Sequence, residues 1–83
     1  MVSKGQIAFK AIVKMLHQCA PGFSIEAKTH KNVIRYRGLT YPKFPRGPHG
    51  KRQNFGVEIG HVKSLVRFFE IQDCAATVLD ALR

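Results

Sequence analysis

The hydrophobic period of the chain changes twice. Over residues 4 to 19, Ile7/Ala8, Ala11/Ile12, Met15/Leu16 and Cys19 recur every four residues, which predicts a helix with one apolar face. Ser3 is placed to cap its start, and Pro21-Gly22 ends it. Phe9 and Val13 widen the stripe and read as ordinary core, a partner-facing patch being the alternative. After Gly22 the period drops to two. In "GFSIEAK", Phe23, Ile25 and Ala27 alternate with Ser24, Glu26 and Lys28, the pattern of a half-buried strand. In "NVIRYRG", Ile34 and Tyr36 share one face, and Val33, Arg35 and Arg37 the other. Gly38 is expected to turn the chain into a third short strand, "LTYPK". Pro42 and Pro45 predict that this strand lies at a sheet edge or ends early.

The period then returns to that of a helix. The segment "PRGPHGKRQNFG" reads as a loop. A second helix is predicted over about 60 to 70, where Val62, Leu65, Val66 and Phe69 form an apolar stripe opposite His61, Lys63, Ser64 and Arg67. Asp73 can cap a short last helix through Leu82, with Ala76, Leu79 and Leu82 inward. No internal repeat is evident. The order α-β-β-β-α predicts an α+β fold: a three-stranded antiparallel sheet with helices on one face, a short extra C-terminal helix, and the other sheet face free for a ligand or partner. The 83 residues can close only one core, so residues 1–83 are read as a single domain.

Charge adds a direction to this picture. Fourteen Lys and Arg against five acids give a net +9, which predicts attraction to a polyanion: nucleic acid, or an acidic protein. Between Ala27 and Val57 there is no acid, while Lys28, Lys31, Arg35, Arg37, Lys43, Arg46, Lys51 and Arg52 all fall there. No apolar run is long enough to span a membrane, and the opening "MVSKGQIAFK" lacks the apolar core of a secretory signal. A cytoplasmic location is therefore expected. Cys19 and Cys74 form no CxxC pair, and reduced, mostly buried thiols are expected over a disulfide.

Little conventional chemistry fits these residues. His17-x-Cys19 is too short a pair for a metal site, "RGPHGKR" is no phosphate-cradling glycine loop, and five scattered acids cannot cage divalent ions. No metal or cofactor is expected. A histidine among cations remains. RNA is cleaved without metal when a base takes the 2′-OH proton and that oxygen attacks the adjacent phosphate. Imidazole suits this role because its ordinary pKa is about 6.5. Neighbouring Lys or Arg would stabilise charge gathering on the phosphate. By surroundings alone His30, His49 and His61 qualify equally, and a histidine so placed is more often a surface or capping residue than a catalyst.

A resemblance separates them. Gly22-Phe23 after an amphipathic helix, Thr29-His30 after a strand, a proline-containing third strand and "PHGK" at 48 to 51 appear in the order seen in HicA-type (YcfA-like) toxins. "EIGHVKSLVRFFEI" resembles that family's Gly-Thr-Leu-Arg-Ser-Ile-Leu-Lys helix, with Gly60, Lys63, Ser64 and Leu65 in matching places. "QDCAATVLDAL" resembles its short closing helix. Lys28 stands where the family commonly has glycine, and Val33 where it often has an aromatic. The resemblance implies a double-stranded-RNA-binding-domain-like fold, ribosome-independent mRNA cleavage and neutralisation by a HicB-type antitoxin. It implies His30 as the general base. Lys28, Lys31, Arg35 and Arg37 are then expected to hold the RNA backbone, Lys43, Arg46, Lys51 and Arg52 to extend the track, and Lys63 and Arg67 to add to it. The rival readings are a non-catalytic double-stranded-RNA-binding module and a basic protein-interaction domain for an acidic partner.

Overall fold

The computed structural model describes residues 4–47 and 55–82. The elements run β1 (Gln6–Ala8), α1 (Phe9–Cys19), β2 (Ser24–Ala27), β3 (Lys31–Tyr36), β4 (Leu39–Pro45), β5 (Gly56–Glu58), α2 (Ile59–Phe68), α3 (Gln72–Val78) and a closing 3₁₀ turn at Asp80–Leu82. The fold is α+β, with a three-stranded antiparallel sheet in the order β2-β3-β4. No described helix is long and apolar enough to cross a membrane.

The helix expected from residue 4 begins only at Phe9, with Ala8 at the N-cap position; Ser3 lies outside the described residues. Gln6, Ile7 and Ala8 instead pair antiparallel with Glu58, Val57 and Gly56. Their partner lies fifty residues away, so a local four-residue pattern could not reveal the strand. The two strand–helix units are built alike. The offset from Ile7 to Val57 recurs in two backbone bonds, Phe9 N–H to Phe55 O at 2.9 Å and Ile59 N–H to Gly5 O at 3.1 Å. It recurs again in burial, with Ile12, Met15 and Leu16 answering Val62, Leu65 and Val66. This likeness lies in which positions are buried, not in residue identity.

Hairpin geometry sets the register of the larger sheet. Arg37 and Gly38 both have positive φ, +51° and +78°, the two-residue type I′ turn that matches strand twist. Arg37 therefore sits in the turn rather than projecting from β3. Along β3 and β4, Asn32 pairs with Phe44 but Ile34 pairs with Tyr41, so β4 carries one extra residue as a bulge. The bulge brings Tyr41 and Phe44 onto one face, where their rings meet edge to face at 6.2 Å. Pro42 falls in this irregular stretch of an edge strand, where its missing N–H costs no ladder bond.

The core lies between this sheet and the helices. Ile12, Met15, Leu16, Ile34, Phe44, Val62 and Leu65 are wholly buried together, and Phe9 and Val13 belong to the same apolar cluster or pack against it. Tyr36 meets Phe69 edge to face at 5.6 Å. On the opposite sheet face Glu26 and Arg35 are exposed, while Val33 is buried yet stands apart from the main cluster.

α2 follows the predicted stripe. It ends with Glu70 in the left-handed region, φ +57°, while Ile71 N–H bonds Val66 O at 2.9 Å and Glu70 N–H bonds Arg67 O at 3.1 Å. This is a Schellman ending, normally built on glycine. Glu70→Gly should therefore raise stability by about 0.5–1 kcal/mol, the relief of left-handed strain less the added chain entropy. A urea titration reads this directly, and an unchanged or lower midpoint would contradict it.

α3 departs from expectation in two respects. Asp73 makes no capping bond, and Ala75 with Leu79, rather than Ala76, is buried. The cysteines are also not free. Cys19, at the end of α1, is bonded to Cys74 in α3. The packing of α3 on α1 brings their Cα atoms to 5.6 Å, within bridging range, so tertiary packing overturns the expectation of reduced thiols.

Candidate nucleic-acid interface

His30 ends the short turn, residues 28 to 30, that joins β2 to β3. The turn is closed by Lys28 N–H donating to Lys31 O at 2.8 Å. A second tie comes from Arg46, beyond β4, whose Nη1 donates to the carbonyl oxygens of Lys28 and Thr29, the latter at 3.3 Å. Arg46, expected as one more phosphate contact, thus braces the backbone that presents His30. The imidazole is exposed and carries no bond to a described residue. No described side chain fixes its orientation.

The cations around this turn are not equally available. Glu26 on β2 accepts from Lys28 Nζ at 2.9 Å and from Arg35 Nη1 at 3.1 Å. The Lys28 ammonium first, and the Arg35 guanidinium second, hold the Glu26 carboxyl below the usual carboxylate range. Glu26 lies one residue outside the acid-free zone of the sequence, yet strand pairing sets it among the cations of that zone. Lys31 and Lys43 are exposed and form no ion pair with a described residue. Arg37 lies over the Tyr36 ring at 5.8 Å.

The predicted cations therefore do not form one continuous track. Lys28, Lys31 and Arg46 gather at the His30 turn. Arg37 lines a cleft at the far end of the β3–β4 hairpin, together with Arg35, which Glu26 also links to Lys28. Lys63 and Arg67 project from α2 into a third, beside Gln72 and Leu82. Lys51, Arg52 and His49 lie outside the described residues, and so does "PHGK". His61 is exposed on α2, and His17 meets Phe23 edge to face at 5.0 Å.

The chain matches no family model, no curated protein and no solved structure. What it could do must be argued from this geometry.

The geometry includes a cleft beside the turn that the sequence did not single out. About 380 Å³ in volume, it is lined by Phe9, Val13, Phe23, Ile25, Asn32, Arg46 and Phe55, among others. Asn32 is 5% exposed and donates from Nδ2 to Pro45 O at 3.3 Å. An asparagine inside a strand is a weak sequence signal, because alternation marks which face it takes but not what it touches.

If nucleic acid binds this face, Glu26 competes with its phosphates for two cations, and Glu26→Gln should strengthen RNA binding. The gain expected from releasing an exposed pair is roughly two- to fivefold. The slope of log affinity against log salt should steepen by about 1 as freed cations meet phosphate. Fluorescence anisotropy across a salt series measures both. Unchanged affinity and slope would place the bound RNA away from β2.

Proposed function

We propose that this protein is a metal-independent endoribonuclease of the HicA type: the toxin of a toxin–antitoxin pair, acting on mRNA in the cytoplasm without the ribosome. The supporting observation is an exposed histidine held on a braced turn among cations. In this reading the sheet and helices form a double-stranded-RNA-binding-domain-like scaffold, and His30 takes the 2′-OH proton. The 2′-oxygen attacks the adjacent phosphorus and the 5′-oxygen leaves, taking a proton from water. The products are a 2′,3′-cyclic phosphate and a 5′-hydroxyl. Lys28 and Lys31 are positioned to offset the charge that builds on the phosphate, and Lys43 and Arg35 to hold the flanking backbone. A HicB-type antitoxin would cover this basic face.

The test is incubation of labelled mRNA with purified protein in the presence of a chelator. Cleavage with cyclic-phosphate ends, abolished by 2′-O-methyl substitution, is the expected result. Binding without any cleavage would sink the nuclease reading. That outcome would favour a non-catalytic RNA-binding module, a reading supported by the lack of any described side chain orienting the His30 imidazole. Failure to bind RNA even at low salt would leave the protein-interaction reading, with an acidic partner.

A further inference from the structure

We infer that the cleft between α1 and the β2–β3 edge is a nucleobase subsite, which takes one unpaired base of the bound RNA. The inference rests on the proposal that the protein binds RNA, and it adds where a base goes and what reads it.

Three features of the cleft converge on a flat, partly polar ligand. Aromatic rings line it: half-buried Phe23, and the buried pair Phe9 and Phe55, which stack on each other at 4.8 Å between centroids. Phe23 is held from behind by the His17 ring. A partly exposed ring such as Phe23 accepts any base through its π-face. The volume, about 380 Å³, falls in the range of small-molecule sites.

Polarity is confined to a few groups. Asn32 spends one Nδ2 hydrogen on Pro45 O, while its Oδ1 accepts no bond from a described residue. No described buried side-chain oxygen or nitrogen is left unsatisfied, so this oxygen is not sealed in the core, and Asn32 lines the cleft. An accepting oxygen among aromatic and aliphatic lining residues suits a ligand with an N–H on its edge, as the bases of RNA have. An apolar peptide side chain would leave that oxygen unpaired, at a cost.

Charge at the mouth completes the case. Arg46 lines the cleft and also bonds the Lys28 and Thr29 carbonyls, so the subsite and the His30 turn share one side chain. A nucleotide whose base enters the cleft would carry its phosphate toward Lys28, Lys31 and His30. The base would then anchor the strand next to the group proposed to cleave it.

The test uses short single-stranded oligonucleotides with 2′-O-methyl sugars, which cannot be cleaved, and a series in which one base at a time is replaced by an abasic site. All carry the same phosphates, so charge is constant. Binding is measured at low salt to wild type, Phe23→Ala, Asn32→Ala and His30→Ala. Stacking of one base predicts that one abasic position weakens wild-type binding about tenfold or more. The penalty should vanish in Phe23→Ala and persist in His30→Ala. Asn32→Ala can disturb folding because it strips the partner of Pro45 O, so Phe23→Ala and the abasic series carry the decision. Equal affinity for every abasic oligonucleotide would overturn the subsite, as would a penalty that Phe23→Ala leaves unchanged. Base-dependent binding without cleavage of ordinary RNA would uphold the subsite while removing the nuclease proposal. No binding to any oligonucleotide would remove both.

Discussion

Cys74→Ser lowers the stability of the oxidised protein by about 2–4 kcal/mol, the usual contribution of a bond closing a long loop. Here the bond spans 55 residues, from the end of α1 to α3. Against the roughly 5–15 kcal/mol of a small domain this is a large share. For a chain of this size it means a fall of about 10–25 °C in Tm. Cys74 is the informative position because it is exposed, so serine leaves no cavity there; Cys19 is buried, and its replacement would mix bond loss with packing loss. Reductant added to wild type should reproduce the shift and do nothing further to Cys74→Ser. The fold should survive in both cases, because Ile71, Ala75 and Leu79 anchor α3 through the core independently of the bond. A midpoint indifferent to reductant would mean that the bond does not form in solution. The result also bears on location. In a reducing compartment the two sulfurs would be thiols, and the protein would keep only the smaller margin. Alkylation of freshly extracted protein before and after reduction reads which state prevails.

The parts of this structure that could be read from sequence are those fixed within one element. The stripe Val62, Leu65, Val66 and Phe69 marks α2 because helical burial repeats locally. The alternation around Ile25 and Ile34 marks strands for the same reason. What could not be read depends on partners distant in the chain. Residues 6 to 8 look helical until Glu58, Val57 and Gly56 are laid beside them. Cys19 looks like a buried thiol until α3 packs on α1. The acid-free run from 27 to 57 looks like one continuous basic track, yet Glu26 engages two of its members, Arg35 across the β2–β3 pairing and Lys28 two residues along the chain, and Arg46 is committed to the turn. His30 stands above the other histidines by resemblance alone; the fold adds that its ring is exposed on a turn braced by Arg46.

On the proposed nuclease reading, His30→Ala should abolish most cleavage while leaving the protein folded and able to bind. Loss of a general base costs about 10²–10⁴ in rate, and an exposed side chain with no bond to a described residue contributes little to stability. Three measurements separate catalysis from the alternatives. The single-turnover rate on labelled mRNA should fall by that factor. The affinity for uncleavable 2′-O-methyl RNA should stay within about twofold, because one neutral ring contributes little beside the phosphate contacts of several cations. The urea midpoint should not move. His61→Ala, on the exposed face of α2, serves as the control and should cut as wild type does. In cells, growth arrest on expression should disappear with His30→Ala and persist with His61→Ala. A rate within a few-fold of wild type would remove His30 from the mechanism. A parallel loss of rate and affinity would make it a binding residue, because a group acting only in the transition state lowers turnover without loosening the ground-state complex.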